Sequence, residues 1–288
     1  MFTTEDFIDY EIIAMSNGEK LEKWGNYYLL RPDPQVIWKE ELDKSLAHAH
    51  YIRSNKGGGH WETLKKIPDS WQVKYKDLTF NVKLMGFKHT GIFPEQAYNW
   101  DFMINKIKNA NRQVKVLNLF AYTGGATLAC AAAGADEVVH VDASKGMIAR
   151  AKENISLSKL EDKYVRFIAE DCGRFVDREI RRGRKYHGII MDPPAYGRGP
   201  SGELWKLEEA LYPLVQKCEQ LLADDGLFFL INSYTTGLSP VVLDSILRLA
   251  ICQKKGGQTQ AAELGFRASK MNIILPCGAV GRWTQRVI

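Results

Sequence analysis

The chain has 288 residues, of which 45% are hydrophobic and 25% are charged, a composition typical of one large globular domain or one domain with a smaller appendage. This apolar content excludes intrinsic disorder, and the absence of a run of about 18 apolar residues excludes a membrane-spanning helix. The acidic first nine residues predict no secretory signal. Five widely spaced cysteines predict reduced thiols in a cytoplasmic protein rather than a disulfide or zinc framework, and no metal is expected.

The net charge of +5 is unevenly distributed along the chain. The first fifty residues carry −5 and the remainder carries +10. A modest basic excess is compatible with nucleic-acid binding, but many enzymes with other substrates share it. Charge alone therefore does not select a substrate.

The first ninety residues predict short β-strands separated by turns. These strands are expected at Ile12–Ala14, Trp24–Leu30, Val36–Trp38, Trp71–Tyr75 and Leu78–Leu84. Between them, residues 48–61 contain three consecutive glycines and are predicted to form a flexible loop. We therefore predict a small β-rich N-terminal domain over residues 1–92.

From about residue 114 onward, short apolar runs alternate with helical patterns. The predicted strands are Val116–Phe120, Val138–Asp142, Tyr164–Ile168, Gly188–Asp192, Leu227–Ile231, Gln258–Gly265 and Asn272–Pro276. The predicted helices are Ala126–Ala133, Lys145–Leu157, Gly173–Arg182, Gly202–Leu222 and Pro240–Gln253. Repeated β-α units of this size predict an α/β, Rossmann-like, doubly wound fold over residues 93–288. Its sheet is expected to have seven mostly parallel strands, the last two forming an antiparallel edge hairpin.

The first of these strands leads into a candidate cofactor loop, residues 118–126. Two glycines there would let the backbone approach a ligand, and the following helix N-terminus offers unpaired N–H groups to an anion. The loop lacks the GxGxxG pattern of nicotinamide-binding folds. A plain strand-turn-helix connection is the alternative interpretation.

Acidic residues end the next two strands. Asp142 lies 18 residues after Gly124, close to the separation of about 20 at which such a residue accepts hydrogen bonds from ribose hydroxyls. Asp171 and Cys172 follow the third strand and are candidates to contact the adenine. A helix N-cap is the alternative role, for Asp171 itself and, in the Asp142 turn, for Ser144.

The most distinctive motif is Asp192-Pro193-Pro194-Ala195-Tyr196, which follows the fourth strand. The prolines stiffen the turn, remove two amide donors and leave carbonyl oxygens to accept hydrogen bonds. Asp192 would receive a hydrogen bond from an amino group on a base, and Tyr196 would offer a stacking face. A rigid turn without function would explain the prolines but not the acidic residue.

Three segments together, residues 118–125, 141–144 and 192–196, resemble class I S-adenosylmethionine-dependent methyltransferases. More narrowly they resemble the bacterial 23S rRNA methyltransferases of the cytosine-C5 type and their uncharacterised relatives. The resemblance extends over residues 85–276 and includes the turn at Phe87–Gln96. It implies S-adenosyl-L-methionine as cofactor, rRNA as substrate and Asp192, Pro193 and Tyr196 as catalytic residues.

The resemblance also implies a set of cofactor contacts spread over these motifs. The residues are Gln96, Asn118, Phe120, Tyr122, Thr123, Gly124, Asp142, Ala143, Ser144, Asp171, Cys172 and Asp192. The chain departs from the cytosine-C5 pattern after the fifth strand, where residues 229–237 contain no cysteine. A neutral serine there is a poor nucleophile, so transfer to a base nitrogen, which needs no covalent step, is the alternative acceptor chemistry.

Two surface segments are open to more than one interpretation. The basic residues between Arg174 and Lys185 would either meet phosphates or form a solvated helix face. Residues 197–202 are predicted to be a substrate lid, with an ordinary loop as the alternative.

Three functions are carried forward from the sequence. The first is methylation of an RNA base, most plausibly in 23S rRNA. The second is methylation of a small molecule or a protein, and the third is cofactor binding without catalysis. The oligomeric state is not predicted.

Overall fold

The computed structural model describes residues 1–54, 57–198, 204–235 and 237–285. The chain divides into two compact units. One contains residues 2–97 and 265–277, and the other contains residues 98–264 and the segment from 278 onward, together with Met1. Each unit is described by itself.

The N-terminal unit is built from β-strands, as predicted. Its strands are β1 (Phe2–Thr4), β2 (Tyr10–Ser16), β3 (Glu19–Trp24), β4 (Tyr27–Pro32), β5 (Ala49–Arg53), β6 (Gly59–Thr63), β7 (Trp71–Tyr75) and β8 (Leu78–Val82). Strands β2 to β6 form one sheet in sequence order, and β7 pairs with β8. In β7, Trp71, Val73 and Tyr75 are buried while the intervening residues are exposed, the alternation of a half-buried strand.

Several N-terminal predictions were wrong. The predicted strand Trp24–Leu30 is a hairpin that turns between β3 and β4. Residues 36–38 form no strand, and the predicted flexible loop 48–61 contains β5 and β6, which pair with each other. A Cβ on Gly59 would lie 2.2 Å from the carbonyl oxygen of Ile52, so this glycine allows the close approach of the two strands rather than loop motion.

The second unit alternates helices and strands. Its helices are α1 (Ala97–Lys108), α2 (Gly125–Ala132), α3 (Lys145–Leu157), α4 (Cys172–Arg181), α5 (Leu207–Glu219), α6 (Pro240–Leu247) and α7 (Gln253–Lys255). Its strands are β9 (Lys115–Leu119), β10 (Glu137–Asp142), β11 (Val165–Ala169), β12 (Gly188–Met191), β13 (Tyr196–Arg198), β14 (Leu204–Lys206) and β15 (Phe228–Ser233). Two further strands, β16 (Gln258–Arg267) and β17 (Ile274–Thr284), belong to it only in part, because residues 265–277 are counted with the N-terminal unit. A π-helical turn, Arg248–Cys252, joins α6 to α7.

The main sheet has the order β1-β16-β17-β15-β12-β9-β10-β11. Strands β15, β12, β9, β10 and β11 are parallel, and β17 runs antiparallel to β15. Every residue of β12 and β15 is buried, as expected of parallel strands covered on both faces. The predicted α/β, Rossmann-like, doubly wound fold is confirmed, with β1 as an eighth strand beyond the predicted seven.

Two predicted elements of this unit differ in detail. The predicted helix Gly202–Leu222 begins only at Leu207, because Leu204–Lys206 pairs with Tyr196–Arg198 in a hairpin. The predicted edge hairpin is β16 and β17, but β17 lies inside the sheet beside β15 and extends to Thr284. The predicted lid, residues 197–202, falls mostly on residues outside the described ranges.

Two glycines in the first turns of helices provide a matched test of packing. A Cβ on Gly125, in α2, would lie 2.6 Å from Cζ2 of Trp100, whereas one on Gly146, in α3, has no atom nearer than 3.7 Å. Gly125→Ala is expected to lower the free energy of unfolding by about 1–3 kcal/mol because it overpacks the helix. Gly146→Ala is expected to raise it by about 0.5–1 kcal/mol. Urea unfolding measures both, and equal effects would contradict this packing.

Candidate cofactor and methyl-transfer site

The ends of the parallel strands align at one edge of the sheet. Leu119 pairs with Val141 on one side and with Met191 on the other, and Met191 pairs with Ile231. The four strands therefore end at this level or within two residues beyond it. In open α/β sheets this carboxyl edge, at the point where strand order reverses, is where ligands bind.

The loop after β9 has an unusual backbone. Phe120 and Tyr122 have φ values of +56° and +52°, and Gly124 has +90°. The left-handed conformation costs a residue with a side chain roughly 1–2 kcal/mol, so neighbouring groups must hold the loop. The N–H of Phe120 donates to Sγ of Cys172 at 3.3 Å, and the N–H of Tyr122 donates to Oδ2 of Asp142 at 2.9 Å.

Asp142 connects this loop with the start of α3. Its Oδ2 accepts from the N–H of Tyr122, and its Oδ1 accepts from the N–H of Ser144 at 2.8 Å. Burial raises the pKa of Asp142, and the two backbone hydrogen bonds oppose that shift. A carboxylate has about four acceptor positions, so each oxygen keeps one for a further donor. These acceptor positions fit the hydroxyl donors of a ribose.

Two other candidates, Ser144 and Asp171, cap helices. Ser144 Oγ accepts from the N–H of Met147 at 3.4 Å, and Asp171 Oδ1 accepts from the N–H of Arg174 at 2.9 Å. Ser144 and Asp171 are therefore helix N-caps, the alternative role that the sequence left open for them. The roles of Ala143, Ser144 and Asp171 toward a cofactor stay predictions.

Two candidates of the first motif point into the protein. Nδ2 of Asn118, which is 3% exposed, donates to Oγ1 of Thr127 at 2.9 Å. Oγ1 of Thr127 also lies 2.9 Å from Nδ1 of His140, whose pKa burial lowers to about 3. The carbonyl of Thr123 accepts from Nδ2 of Asn154 at 2.9 Å. These hydrogen bonds hold the loop after β9 against the protein interior, a role that the sequence did not predict.

The loop glycines are also required by protein neighbours. A Cβ on Gly124 would lie 3.1 Å from Cβ of Ala151 and 3.2 Å from Cδ1 of Leu128. Gly124 supplies a left-handed turn packed against α3 and α2. The expected approach of a ligand to the loop glycines stays a prediction.

The Asp192 motif follows β12 at the same edge. The N–H of Asp192 donates to the carbonyl of Leu119 at 3.4 Å, and its side chain is half-buried. Pro193 is buried, whereas Tyr196 is 59% exposed. The carbonyl of Pro194 accepts from Nε1 of Trp205 at 2.6 Å.

Trp205 was not identified from the sequence. Its ring centroid lies 5.2 Å from that of Phe120, and its indole holds the Asp192 turn through Pro194. One side chain of β14 therefore contacts both the loop after β9 and the turn after β12. No local sequence signal marks this role, because it depends on the pairing of β13 with β14.

Two other predictions are placed as follows. Gln96 ends the buried 3-10 turn Pro94–Gln96 and belongs to the N-terminal unit. Three of the six basic residues between Arg174 and Lys185 form ion pairs with acidic side chains. These ion pairs are Arg178–Glu170 at 2.6 Å, Arg182–Glu179 at 3.1 Å and Arg184–Glu137 at 2.7 Å. This pairing favours the solvated-face interpretation of the cluster.

Two kinds of feature are absent from the described ranges. No cluster of three or more His, Cys, Asp or Glu residues there could hold a metal ion. No helix in the same part of the chain is long and apolar enough to cross a membrane.

A doubly wound sheet with a tight loop after one strand and a ribose-competent carboxylate after the next defines a Rossmann-like, nucleotide-cofactor-binding protein. A sequence model of the S-adenosylmethionine-dependent methyltransferase family matches residues 33–245, and the chain belongs to this family. Its cofactor is accordingly S-adenosyl-L-methionine, whose ribose hydroxyls fit the acceptor positions of Asp142.

Individual relatives agree with this assignment. A crystal structure of the S-adenosylmethionine-dependent methyltransferase from Agrobacterium tumefaciens is 34% identical, with a TM-score of 0.93, and the match covers 99% of this chain and 93% of that one. Ribosomal RNA large subunit methyltransferase K of Neisseria meningitidis is 24% identical over 79% of this chain and 65% of its own length. Methyltransferase K/L of Shewanella baltica is 35% identical over 58% of this chain and 21% of its own. The chain thus spans less than two thirds of the length of these two curated relatives.

Asp142 provides a test of the cofactor site. Asp142→Asn removes the charge and places an N–H₂ group against a backbone N–H, so S-adenosylmethionine should bind about 10- to 100-fold more weakly. Wild-type affinity should fall as pH is lowered through the raised pKa of Asp142, because the protonated carboxyl loses an acceptor position. Isothermal titration calorimetry measures both effects.

Asp136→Asn is the matched control. Oδ2 of Asp136 accepts from the N–H of Val114 at 2.7 Å, just before β10 begins and away from the carboxyl edge. Its affinity for S-adenosylmethionine should match the wild type. An Asp142→Asn protein that binds as tightly as this control would refute the assignment.

Proposed function

We propose that this protein methylates a base of RNA, most plausibly in the 23S rRNA of the large ribosomal subunit. The names of the Neisseria and Shewanella relatives support an rRNA substrate. The observation that carries the proposal is the position of Asp192. It follows β12 directly beside the loop after β9, so an acceptor held by Asp192 lies next to the cofactor site.

The chain's own residues would orient the reaction. S-adenosylmethionine supplies an electrophilic methyl group on a sulfonium sulfur. Asp142 would hold the ribose, Asp192 would accept a hydrogen bond from an N–H of the acceptor base, and Tyr196 would stack on that base. Pro193 keeps the Asp192 turn rigid, so that the methyl group and its acceptor stay in line.

A nitrogen acceptor fits this site better than cytosine C5. The stretch after β15 contains Ser233 and Tyr234 but no thiol to attack the base. Cys172 is the cysteine near the loop after β9, and burial raises its pKa well above the usual value, so it remains a neutral thiol. Attack by a nitrogen lone pair needs no covalent intermediate.

Further proposals concern the organisation and location of the protein. We assign the methyltransferase activity to residues 93–288 and treat residues 1–92 as a separate small domain. We also propose a cytoplasmic location, where rRNA is available. Methylation of a small molecule or a protein, and cofactor binding without transfer, remain as outcomes of the tests below.

The substrate is tested by nucleoside mass spectrometry of large-subunit rRNA. Cells lacking the gene should lose one methylated nucleoside, and the wild-type gene should restore it. The gene encoding Asp192→Ala, expressed to the same level, should not restore it. An unchanged set of modified nucleosides in the deletion strain would refute an rRNA substrate.

Asp192 is tested separately with the purified protein. Asp192→Ala should bind S-adenosylmethionine within about threefold of the wild type but lose at least about 100-fold in kcat, since the acceptor is no longer oriented. Methyl transfer is measured with labelled cofactor and rRNA from the deletion strain. Asp162→Ala, on an exposed turn, is the control and should keep full activity. Full activity of the Asp192→Ala protein would overturn this role.

A further inference from the structure

A buried arginine of β17 heads a chain of side-chain hydrogen bonds that reaches the carboxyl edge. Arg282 is 4% exposed, and its guanidinium lies 4.9 Å from the ring centroid of Tyr98 and 4.4 Å from that of Phe102. Nη2 of Arg282 donates to Oδ1 of Asn99, which is fully buried in α1. Nδ2 of Asn99 donates to Oδ1 of Asn232 at 3.0 Å.

The direction of this chain is fixed by chemistry. Burial lowers the pKa of Arg282 to about 10, so the guanidinium stays charged at neutral pH and has donors only. Asn99 must therefore turn its oxygen toward Arg282 and its N–H₂ toward Asn232. Asn232 in turn must use its oxygen for this contact, which leaves its N–H₂ group pointing elsewhere. Neither amide can be flipped without placing two donors together.

The N–H₂ group of Asn232 is the donor that remains, and it lies at the carboxyl edge of the sheet. Among the described residues no group accepts from Nδ2 of Asn232, and this atom is not one of the enclosed polar atoms that lack a partner. It therefore stays open to solvent although the residue as a whole is 3% exposed.

Asn232 lies in β15, and Asp192 comes directly after the last residue of β12. Ile231 pairs with Met191, so Asn232 and Asp192 each follow a paired position, on strands about 4.8 Å apart. The backbone therefore brings Asn232 and the Asp192 turn to the same edge of the sheet. The edge thus presents a hydrogen-bond acceptor on Asp192 and a donor on Asn232 next to each other.

We propose that Asn232 is a specificity-determining residue that donates a hydrogen bond to the base that is methylated. On the same base, a neighbouring N–H donates to Asp192. Arg282 and Asn99 are positioning residues that fix which half of the Asn232 amide faces the base. The inference rests on the proposed function and deepens it. Asp192 and Asn232 together fit a planar group that carries a hydrogen-bond donor next to an acceptor, as on the Watson–Crick edge of a nucleobase. An alkyl amine of a protein has no such adjacent acceptor.

The first test reverses the donor without changing its shape. Asn232→Asp can still accept from Asn99 but presents an oxygen instead of N–H₂, so kcat/KM for rRNA from the deletion strain should fall at least about 10-fold. Its affinity for S-adenosylmethionine should not change. Asn105→Asp makes the same chemical change at an exposed position of α1 and should keep wild-type values. Unchanged kcat/KM in Asn232→Asp would overturn the inference.

The second test acts through the positioning residue. In Asn99→Asp the new carboxylate still accepts from Arg282 but has no donor for Asn232, which should rotate its amide and turn its oxygen to the edge. We expect the same loss of kcat/KM, with unchanged cofactor affinity, although residue 99 is not at the edge. Wild-type transfer by this variant would overturn the positioning role.

Cofactor binding separates failure of folding from failure of recognition. If Asn232→Asp does not bind S-adenosylmethionine, Asn232→Ser and Asn232→Ala replace it. Ser keeps a donor and should retain more activity than Ala, and equal activities would overturn the inference. A wild-type protein that binds cofactor but transfers nothing to this rRNA would instead overturn the proposed function, and the inference with it.

Discussion

The carboxylate of Asp142 accepts one backbone N–H from each of two segments, the loop after β9 and the start of α3. Phe120 and Tyr122 occupy the left-handed region, which is unfavourable for side chains of this size. The loop therefore depends on acceptors from the neighbouring strand ends, above all Asp142 and Cys172. The same carboxylate keeps further acceptor positions, so under the proposed ribose contact the shape of the loop and the recognition of the cofactor would depend on one residue.

Much of the motif that marks this loop serves the protein interior. Asn118 and Thr123 are bonded to buried side chains, and Gly124 is constrained by helix packing. At the next strand end, Pro194 is held by Trp205. The ligand-facing groups are thus few, and most of the motif keeps them in place. This arrangement is what preorganised transfer requires, since misplacement of either reactant reduces the rate.

The second unit could be predicted well from the sequence, because parallel strands are apolar runs and helices such as Lys145–Leu157 carry clear start signals. The N-terminal hairpin of β5 and β6 could not, since β6 is exposed on nearly every residue and its glycines resemble a loop. Contacts between residues that are far apart in the chain could not be predicted either. Asn99 and Asn232 are 133 residues apart, and Asn99 and Arg282 are 183 apart, so no local pattern indicates their hydrogen bonds.

The central claim is that Asp142 binds the ribose of the cofactor while it holds the loop after β9. A crystal structure with S-adenosylhomocysteine tests it most directly. We predict that a ribose hydroxyl lies within about 3.2 Å of an Asp142 carboxylate oxygen, with the hydrogen bonds from Tyr122 and Ser144 intact. A ribose bound away from Asp142, or a loop that releases Asp142 when the ligand binds, would contradict the account.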